Sequence, residues 1–287
     1  MQQVLSTYRF IHHALTPALL GEFASAGIRE IEIFCASGHF SYASPQVVRE
    51  MASALSDHRI ALHSLHSPTE RDMAPGRESG TPISISDTER IRRLDAMDEV
   101  KRALEVAERI PFRYLVQHIG HGRQSADPRK LDAAFSSLEH LSLFARQRGV
   151  AVALENTPGD LGSPHTLHQF LKETHLQNVK FCLDTGHAHM ESGVASAFEL
   201  MRDRLATTHI HDNHGEKDEH LLPGECSPKG IDWEAVLKML AAVPEPLPLV
   251  LELKDQPGGA PSLAQIRAAF DQLAGPEGGT KASQPKK

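Results

Sequence analysis

Six short apolar runs of this sequence each end on an imidazole or a carboxylate, the side chains that most often bind metal ions in proteins. In chain order, the terminal residues are His66, His118, Glu155, Asp184, His209 and Glu252. The last four make an oxygen-rich set that suits Mn, Co, Mg or Zn, and the first two would add nitrogen ligands. One histidine or acid at the end of a strand is often structural, but six in succession favour a metal site.

The elements that would carry these residues alternate between short β-branched runs and longer segments of helical period, as βα units do. We predict strands at Val4–Phe10, Ile28–Phe34, Ile60–His66, Tyr114–His118, Val150–Glu155, Val179–Asp184, Thr207–His211 and Leu247–Leu253. Helices are predicted at Pro17–Ala26, Pro45–Asp57, Asp87–Arg109, Pro128–Arg148, Ser163–Thr174, Ala195–Leu205, Trp233–Ala242 and Ser262–Leu273. Eight of each favour an α/β fold, a single (β/α)8 barrel, whose active site lies at the carboxyl ends of the strands.

One domain is expected over residues 1–274, since no linker divides the chain. The segment 275–287 is polar and rich in glycine, and we expect a disordered tail there. The Gly-, Pro- and Ser-rich connection Ser67–Ser86 is long for a compact domain, which predicts a functional loop such as a lid over the mouth. Serine or aspartate precedes proline at Ser44, Asp127 and Ser163, and this pattern predicts helix starts.

The composition is typical of a globular protein that buries a core, with 40% hydrophobic and 23% charged residues among 287. The net charge of −7 argues against extensive nucleic-acid binding. Three cysteines without CxxC spacing indicate neither a disulfide framework nor a thiolate cluster. We see no signal peptide and no apolar run of membrane-spanning length, so a cytoplasmic enzyme with a small-molecule substrate is expected. Assembly into a homo-oligomer is possible.

Two further motifs bring ligand types close to the main set. Asp184-Thr-Gly-His187 places an imidazole three residues after a carboxylate, and the glycine allows the chain to turn back. Asp218 and His220 have the i, i+2 spacing that puts two side chains on one side of an extended segment. The structural alternatives are that Asp184 caps a helical turn and Glu252 pairs with Lys254. For Glu32, a position in the barrel lumen and an ordinary salt bridge stay open.

The segments LENTPGD, CLDTGHAH, HIHDNHGEKDEHLLPGE and LVLELK resemble the xylose isomerase-like TIM barrels, over nearly the whole chain. That superfamily contains sugar isomerases and epimerases, inosose dehydratases and endonuclease IV. Its isomerase branch implies one divalent ion, held by Glu155, Asp184, His209 and Glu252. Endonuclease IV implies three zinc ions held by nine residues, which add His66, His118, His187, Asp218 and His220. The DTGH and PGE segments are closer to the isomerase branch, although Cys226 and Gly215 depart from its pattern.

The resemblance implies a metal-dependent isomerase or epimerase acting on a sugar or a sugar-like polyol or keto compound. Glu155 and Glu252 would be catalytic, one removing and one returning a proton through a metal-stabilised enediolate. His187 would bind a substrate oxygen, and His121 and His211, near the mouth, could also contact substrate. Manganese or zinc is the expected ion, with cobalt or magnesium as further candidates; one ion is favoured and up to three could be held. The alternatives are a multinuclear zinc phosphodiesterase and a lyase or dehydratase on the same site.

Overall fold

Eight parallel strands carry the predicted ligands around one nearly closed sheet in the computed structural model, which describes residues 1–71, 80–255 and 259–274. The strands within these residues are β1 Gln3–Ser6, β2 Glu30–Phe34, β3 Ala61–His66, β4 Glu70–Arg71, β5 Thr81–Pro82, β6 Tyr114–Gln117, β7 Ala151–Glu155, β8 Val179–Asp184, β9 Leu205–His209 and β10 Leu249–Leu251. The main sheet has the order β10-β1-β2-β3-β6-β7-β8-β9. The predicted (β/α)8 barrel is therefore confirmed.

Helices follow the strands and cover the outside of the sheet. They are α1 Pro17–Ser25, α2 Pro45–His58, α3 Arg90–Glu105, α4 Pro128–Arg146, α5 Pro164–Thr174, α6 Thr185–Met190, α7 Val194–Met201, α8 Trp233–Ala241 and α9 Leu263–Ala274. Ser44, Asp127 and Ser163 each accept a hydrogen bond from a backbone N–H in the first turn, so these three predicted helix starts are confirmed. In the part of the chain that the structure describes, no helix is long and apolar enough to cross a membrane.

Alternation along the strands separates an outer core from the lumen of the barrel. Leu154 and Phe181 point outward and pack against the helices in the main core. Ala153 and Cys182, one position away on the same strands, fill the lumen beneath the mouth. Between Ile31 and Glu32 the pairing of β2 with β3 shifts register, and Glu32 is then paired with Ser64. This irregularity places a fully buried carboxylate inside the barrel.

The two ends of the sheet are joined less extensively than its interior. Among the described residues, the only ladder contact joining this pair of edges is an isolated parallel bridge between Ile210 and Leu251. Ile210 donates its N–H to Val250 at 2.7 Å and accepts from the N–H of Glu252 at 3.1 Å. The barrel therefore closes at a short seam between β9 and β10.

Several predicted boundaries were wrong, for local reasons. The first strand ends at Ser6, because the Ser6 hydroxyl accepts from the backbone N–H of Tyr8 and a 3-10 turn follows. The predicted loop Ser67–Ser86 contains the antiparallel pair β4–β5, and residues 72–79 of the predicted lid lie outside the described part of the chain. The short helix α6 was not predicted. The expected tail 275–287 also lies outside the described residues.

A candidate metal centre at the mouth of the barrel

Four predicted ligands converge at the carboxyl ends of the last four barrel strands. The ligand atoms of Glu155, Asp184, His209 and Glu252 all lie within 4.8 Å of one another, and all four residues are buried. The Nδ1 atom of His209 lies 3.3 Å from Glu155 Oε2, 3.4 Å from Glu252 Oε2 and 3.9 Å from Asp184 Oδ2. One imidazole nitrogen thus faces three carboxylates, and charged groups this close in a buried site need a cation or shared protons.

His209 is held in the orientation that a metal ligand requires. Its Nε2 atom lies 3.1 and 3.3 Å from the two carboxylate oxygens of Glu32, which also accepts from the Ser64 hydroxyl at 2.7 Å. A carboxylate that accepts from one ring nitrogen fixes the tautomer and directs the other nitrogen toward the ion. Nδ1 of His209 is buried and lacks a hydrogen-bond partner among the described residues. The donor set therefore fits a divalent cation of the Mn or Zn class.

The two glutamates have opposite electrostatic environments. Burial raises the pKa of Glu155, but His209 and His118 outweigh it and hold that pKa well below its usual value. The pKa of Glu252 is raised well above its usual value, because burial and the charges of Glu155 and Asp184 outweigh the attraction of His209. Burial alone lowers the pKa of His209, yet the surrounding acids raise it well above the usual value.

Two more predicted ligands gather on the other side of Glu155. His66 Nε2 and His118 Nε2 each lie 3.2 Å from the same oxygen, Glu155 Oε2. Nδ1 of His66 donates to the carbonyl oxygen of Ser67 at 2.9 Å, which leaves Nε2 facing the carboxylate. Glu155 is thereby shared by the histidine pair and the four-residue cluster.

A third group contains His187, Asp218 and His220. Asp218 lies 3.0 Å from His220 Nε2 through Oδ2 and 3.5 Å from His187 Nε2 through Oδ1. The other ring nitrogens are fixed by the backbone, because His187 Nδ1 donates to the Asn156 carbonyl and His220 Nδ1 to the Glu252 carbonyl. The carboxylates of Asp184, Asp218 and Glu155 raise the pKa of His187 well above its usual value, against the effect of burial.

The backbone around Asp184 explains how this part of the site is built. Asp184 ends β8 and its Oδ1 accepts from the N–H of His187 at 2.7 Å, so it also caps α6, as the structural alternative proposed. Gly186 lies in that first turn, and a Cβ atom there would come within 2.0 Å of the His211 ring. Only glycine allows the ring of His211 to pack against this turn.

His211, predicted as a substrate contact, lies beneath the mouth against Asp184 and His220. Its ring is fully buried, its Nε2 lies 3.0 Å from both oxygens of Asp184, and it stacks on His220 with ring centroids 3.8 Å apart. It does not line the mouth cavity. His211 therefore holds Asp184 in place, and its ligand atom also lies within 4.8 Å of those of His187, Asp218 and His220, so its role toward an ion or a substrate stays a prediction.

The mouth cavity has a volume of about 300 Å³ and is lined by Glu155, His187, Asp218, His220 and Glu252, with His66 and His118. Its other wall is apolar, formed by Tyr8, Ile11 and Phe34, and the rings of Tyr8 and Phe34 lie 4.8 Å apart. His121 lines the rim and is half-buried, so the predicted substrate contact stays a prediction there. The cavity has the size and the mixture of polar and apolar walls expected for a small-molecule site.

Three functional features were missed at the sequence level. Glu32 holds the His209 ligand, although the sequence left its role open. Asn156 bonds both backbone groups of Asp184, accepting from its N–H and donating to its carbonyl, which joins β7 to β8. Asp212 accepts from three backbone N–H groups and from the indole of Trp233, and so shapes the loop that carries Asp218. The DN dipeptide after the seventh predicted strand was the one signal that could have identified Asp212.

Comparison with known proteins places this architecture. The family model described as a xylose isomerase-like TIM barrel matches residues 20–274. The chain belongs to this family. Among curated relatives, the uncharacterized protein MJ1614 of Methanocaldococcus jannaschii is 32% identical over 166 residues, 57% of this chain and 65% of that relative's length. A probable endonuclease 4 of Haloquadratum walsbyi is 26% identical over 190 residues, 58% of this chain and 65% of that protein.

Among solved structures, a D-tagatose 3-epimerase-like protein has a TM-score of 0.76 at 21% sequence identity, covering 95% of this chain and 97% of that one. D-psicose 3-epimerase has a TM-score of 0.73 at 15% identity, covering 96% and 98%. At these identities the likeness establishes the shared barrel fold. Both branches considered from the sequence, sugar epimerases and endonuclease IV, are therefore represented among the proteins that this family member is similar to.

Proposed function

We propose that this family member is a metal-dependent enzyme that isomerises or epimerises a sugar or a sugar-like polyol by proton transfer. The observation that carries the proposal is the convergence of two carboxylates, Glu155 and Glu252, with Asp184 and His209 on one point beneath a small cavity. The epimerases among the proteins of similar fold support the same reaction class. Manganese and zinc are the ions that this mixed oxygen and nitrogen donor set suits best.

The two glutamates are placed for complementary roles. Glu155 comes from β7 and Glu252 follows β10, so they approach the cavity from different parts of the barrel wall with His209 between them. A divalent ion held by the four residues would act as a Lewis acid on a carbonyl and its neighbouring hydroxyl, which acidifies the intervening C–H bond. One glutamate then removes the proton and the other returns it from the opposite side, which inverts the carbon. Return to the neighbouring carbon gives aldose–ketose isomerisation.

Other residues of the cavity would position the substrate. His187 is fixed through Nδ1 by the Asn156 carbonyl, so its Nε2 is left to bind a substrate oxygen beside Asp218. The apolar wall of Tyr8, Ile11 and Phe34 would contact the C–H face of the same molecule and reduce the access of water. His121 stands at the entrance of the cavity, where a distal hydroxyl or charged group would lie.

The test is exchange of carbon-bound hydrogen. The metal-loaded protein is incubated with candidate ketoses and aldoses in heavy water, and deuterium next to the carbonyl is followed by NMR. We expect incorporation with the native protein and none with Glu155→Gln or Glu252→Gln. Asp160→Asn provides a control, because Asp160 is an exposed acid in the loop after β7 that belongs to none of the three ligand groups. If the sugar is converted to a dehydrated product and no isomer or epimer forms, the enzyme is a lyase or dehydratase.

A second candidate is a multinuclear phosphodiesterase, and the two extra ligand groups favour it. His66 and His118 at Glu155, and His187, Asp218 and His220 beside it, provide donors for two more ions. Ions held by these residues would activate a water molecule for attack on a phosphodiester. Metal analysis of protein purified without added metal separates the candidates, because one equivalent supports the isomerase and three zinc ions the hydrolase. Nicking of an abasic-site duplex that is lost in Glu155→Ala, without deuterium entering any sugar, would replace the isomerase proposal.

A further inference from the structure

A further cavity lies at the amino ends of the barrel strands, on the face opposite to the candidate metal centre. Its volume is about 370 Å³. Its lining includes Tyr114 and Leu205, the first residues of β6 and β9, and Pro248, which directly precedes β10. No described residue lines both this amino-end cavity and the mouth cavity. Whatever the amino-end cavity binds is therefore bound apart from the candidate metal centre.

Four cations line the amino-end cavity, and three of them have no ion-pair partner in the part of the chain that the structure describes. These three are Arg113, Lys180 and Arg204. The fourth, Arg202, is paired with Glu199 at 3.1 Å. Lys180 and Arg204 are half-buried, so solvent screens their charges less than it screens those of exposed side chains.

The nearby acids leave most of this positive charge without a partner. Asp203 and Glu245 also line the cavity, but both are exposed, and Asp203 lies 3.8 Å from Arg202. Glu30 is deeper, and its carboxylate already accepts a hydrogen bond from Gln2. The half-buried cations therefore face exposed or already bonded acids.

Two of the cations are positioned by the barrel itself. Lys180 lies two positions before Cys182 on β8, and the side chain of Cys182 fills the lumen, so alternation directs Lys180 to the axis of the barrel. Arg204 donates from Nη1 to the carbonyl oxygen of Leu176 at 2.8 Å, which fixes its guanidinium. Side chains that are already ordered lose less entropy when they bind a ligand.

A buried histidine forms the inner wall of the same cavity. His63 is 1% exposed, and its Nε2 lies 3.2 Å from the hydroxyl of Thr207 on the other side of the lumen. Its Nδ1 has no hydrogen-bond partner among the described residues, with the Glu30 carboxylate 3.5 Å away. When Nε2 accepts from the Thr207 hydroxyl, Nδ1 carries the proton and can donate it. A buried donor without a partner is costly, so a ligand that accepts from it is favoured.

We propose that the amino-end cavity is a second binding site, separate from the candidate active site, for the phosphate or carboxylate group of a small molecule. Lys180, Arg113 and Arg204 are the charged contacts, and His63 is the donor at the inner wall. The apolar side chains of the segment 243–248 contact the carbon part of the ligand. A cavity of this volume around the end of the barrel axis admits a small molecule and excludes a nucleic-acid duplex.

The test is isothermal titration calorimetry of the metal-loaded protein with inorganic phosphate and, separately, with succinate. Lys180→Met keeps most of the side-chain length and removes the charge, and it should weaken anion binding at least about tenfold, the loss expected for one charge-assisted hydrogen bond. The matched control is Lys172→Met, at an exposed lysine of α5 that lines neither cavity, and it should leave the affinity unchanged. Arg113→Gln, at an exposed position just before β6, is the second variant if Lys180→Met folds poorly.

The two anions distinguish the chemical group that is bound. Binding of phosphate alone that depends on Lys180 assigns a phosphate site, and such binding of succinate alone assigns a carboxylate site. Equal affinity in the native protein and in both cavity variants would overturn the proposal, because it would place the anion elsewhere, for example on the ion at the mouth. Absence of binding by both anions would also overturn it. Binding of a DNA duplex that depends on Lys180 and Arg113, when neither small anion binds, would assign the cations to nucleic acid instead. Since the site is separate from Glu155 and Glu252, loss of the proposed isomerase function would leave this result standing.

Discussion

Replacing Glu32 with glutamine tests how the candidate metal centre is assembled. Glu32 is fully buried, lies 3.1 Å from His209 Nε2 and accepts from Ser64. Glutamine keeps the shape and one acceptor oxygen but removes the charge. A hydrogen bond to a charged group contributes about 1.5–3 kcal/mol and a neutral one about 0.5–1.5 kcal/mol, so the difference is about 1–1.5 kcal/mol. We expect divalent-ion affinity to fall about tenfold, at the lower end of the range for groups that orient metal ligands.

The assay is a competition titration of Mn²⁺ or Zn²⁺ against a chromophoric chelator, with circular dichroism to verify the fold. Glu30→Gln is the control, because Glu30 lies two positions earlier on β2 and contacts His63 and Gln2, outside the three ligand groups. Ion affinity should be unchanged in that variant. If Glu32→Gln binds the ion within about twofold of the native protein, or if Glu30→Gln weakens it equally, then the orienting role of Glu32 is refuted.

Three further outcomes follow from the structure. Removing the ion with a chelator should lower the unfolding free energy by about 2.7 kcal/mol, relative to protein in an ion concentration a hundred times the Kd. Urea denaturation with and without Mn²⁺ measures this difference, and equal curves would contradict an ion site. Gly186→Ala should cost about 1–3 kcal/mol by overpacking against His211 and should reduce ion affinity, whereas native values for both would show that the ring can move. Burial lowers the pKa of His39 to about 4. Because the unfolded chain then binds more protons between pH 6.5 and 4, stability should fall by about 3 kcal/mol as pH falls through that window, and His39→Gln should flatten the dependence in urea titrations at several pH values.

The positions of the six strand-terminal residues could be predicted because each follows an apolar run and because the carboxyl ends of barrel strands share one face. The architecture and the family follow from the same pattern. The roles of individual site residues stay predictions, since proximity of the side chains does not by itself assign their chemistry. The local sequence therefore predicts the end of the barrel at which each side chain lies and the chemical type of that side chain.

The remaining features depend on contacts between distant parts of the chain. Glu32 reaches His209 because β2 shifts its register against β3, and the sequence around Ile31 does not predict this irregularity. The buried position of His211 results from its packing on His220 and on the glycine turn of α6, far apart in sequence. The β4–β5 hairpin lies in a stretch whose glycine and proline content indicates an irregular loop. Such features are set by tertiary packing, which overrides local preference.

The short seam of the barrel has a consequence for how the chain is joined into one body. His209 ends the strand on one side of that seam, and Glu252 directly follows the strand on the other side. An ion shared by these two residues would tie together the two sheet edges that the backbone joins by a single bridge. The centre would then cross-link the two edges of the barrel as well as serve as a reaction site. Ion binding and closure of the barrel are in that case thermodynamically coupled. Any molecule that competes for the ion would therefore also destabilise the contact between β9 and β10.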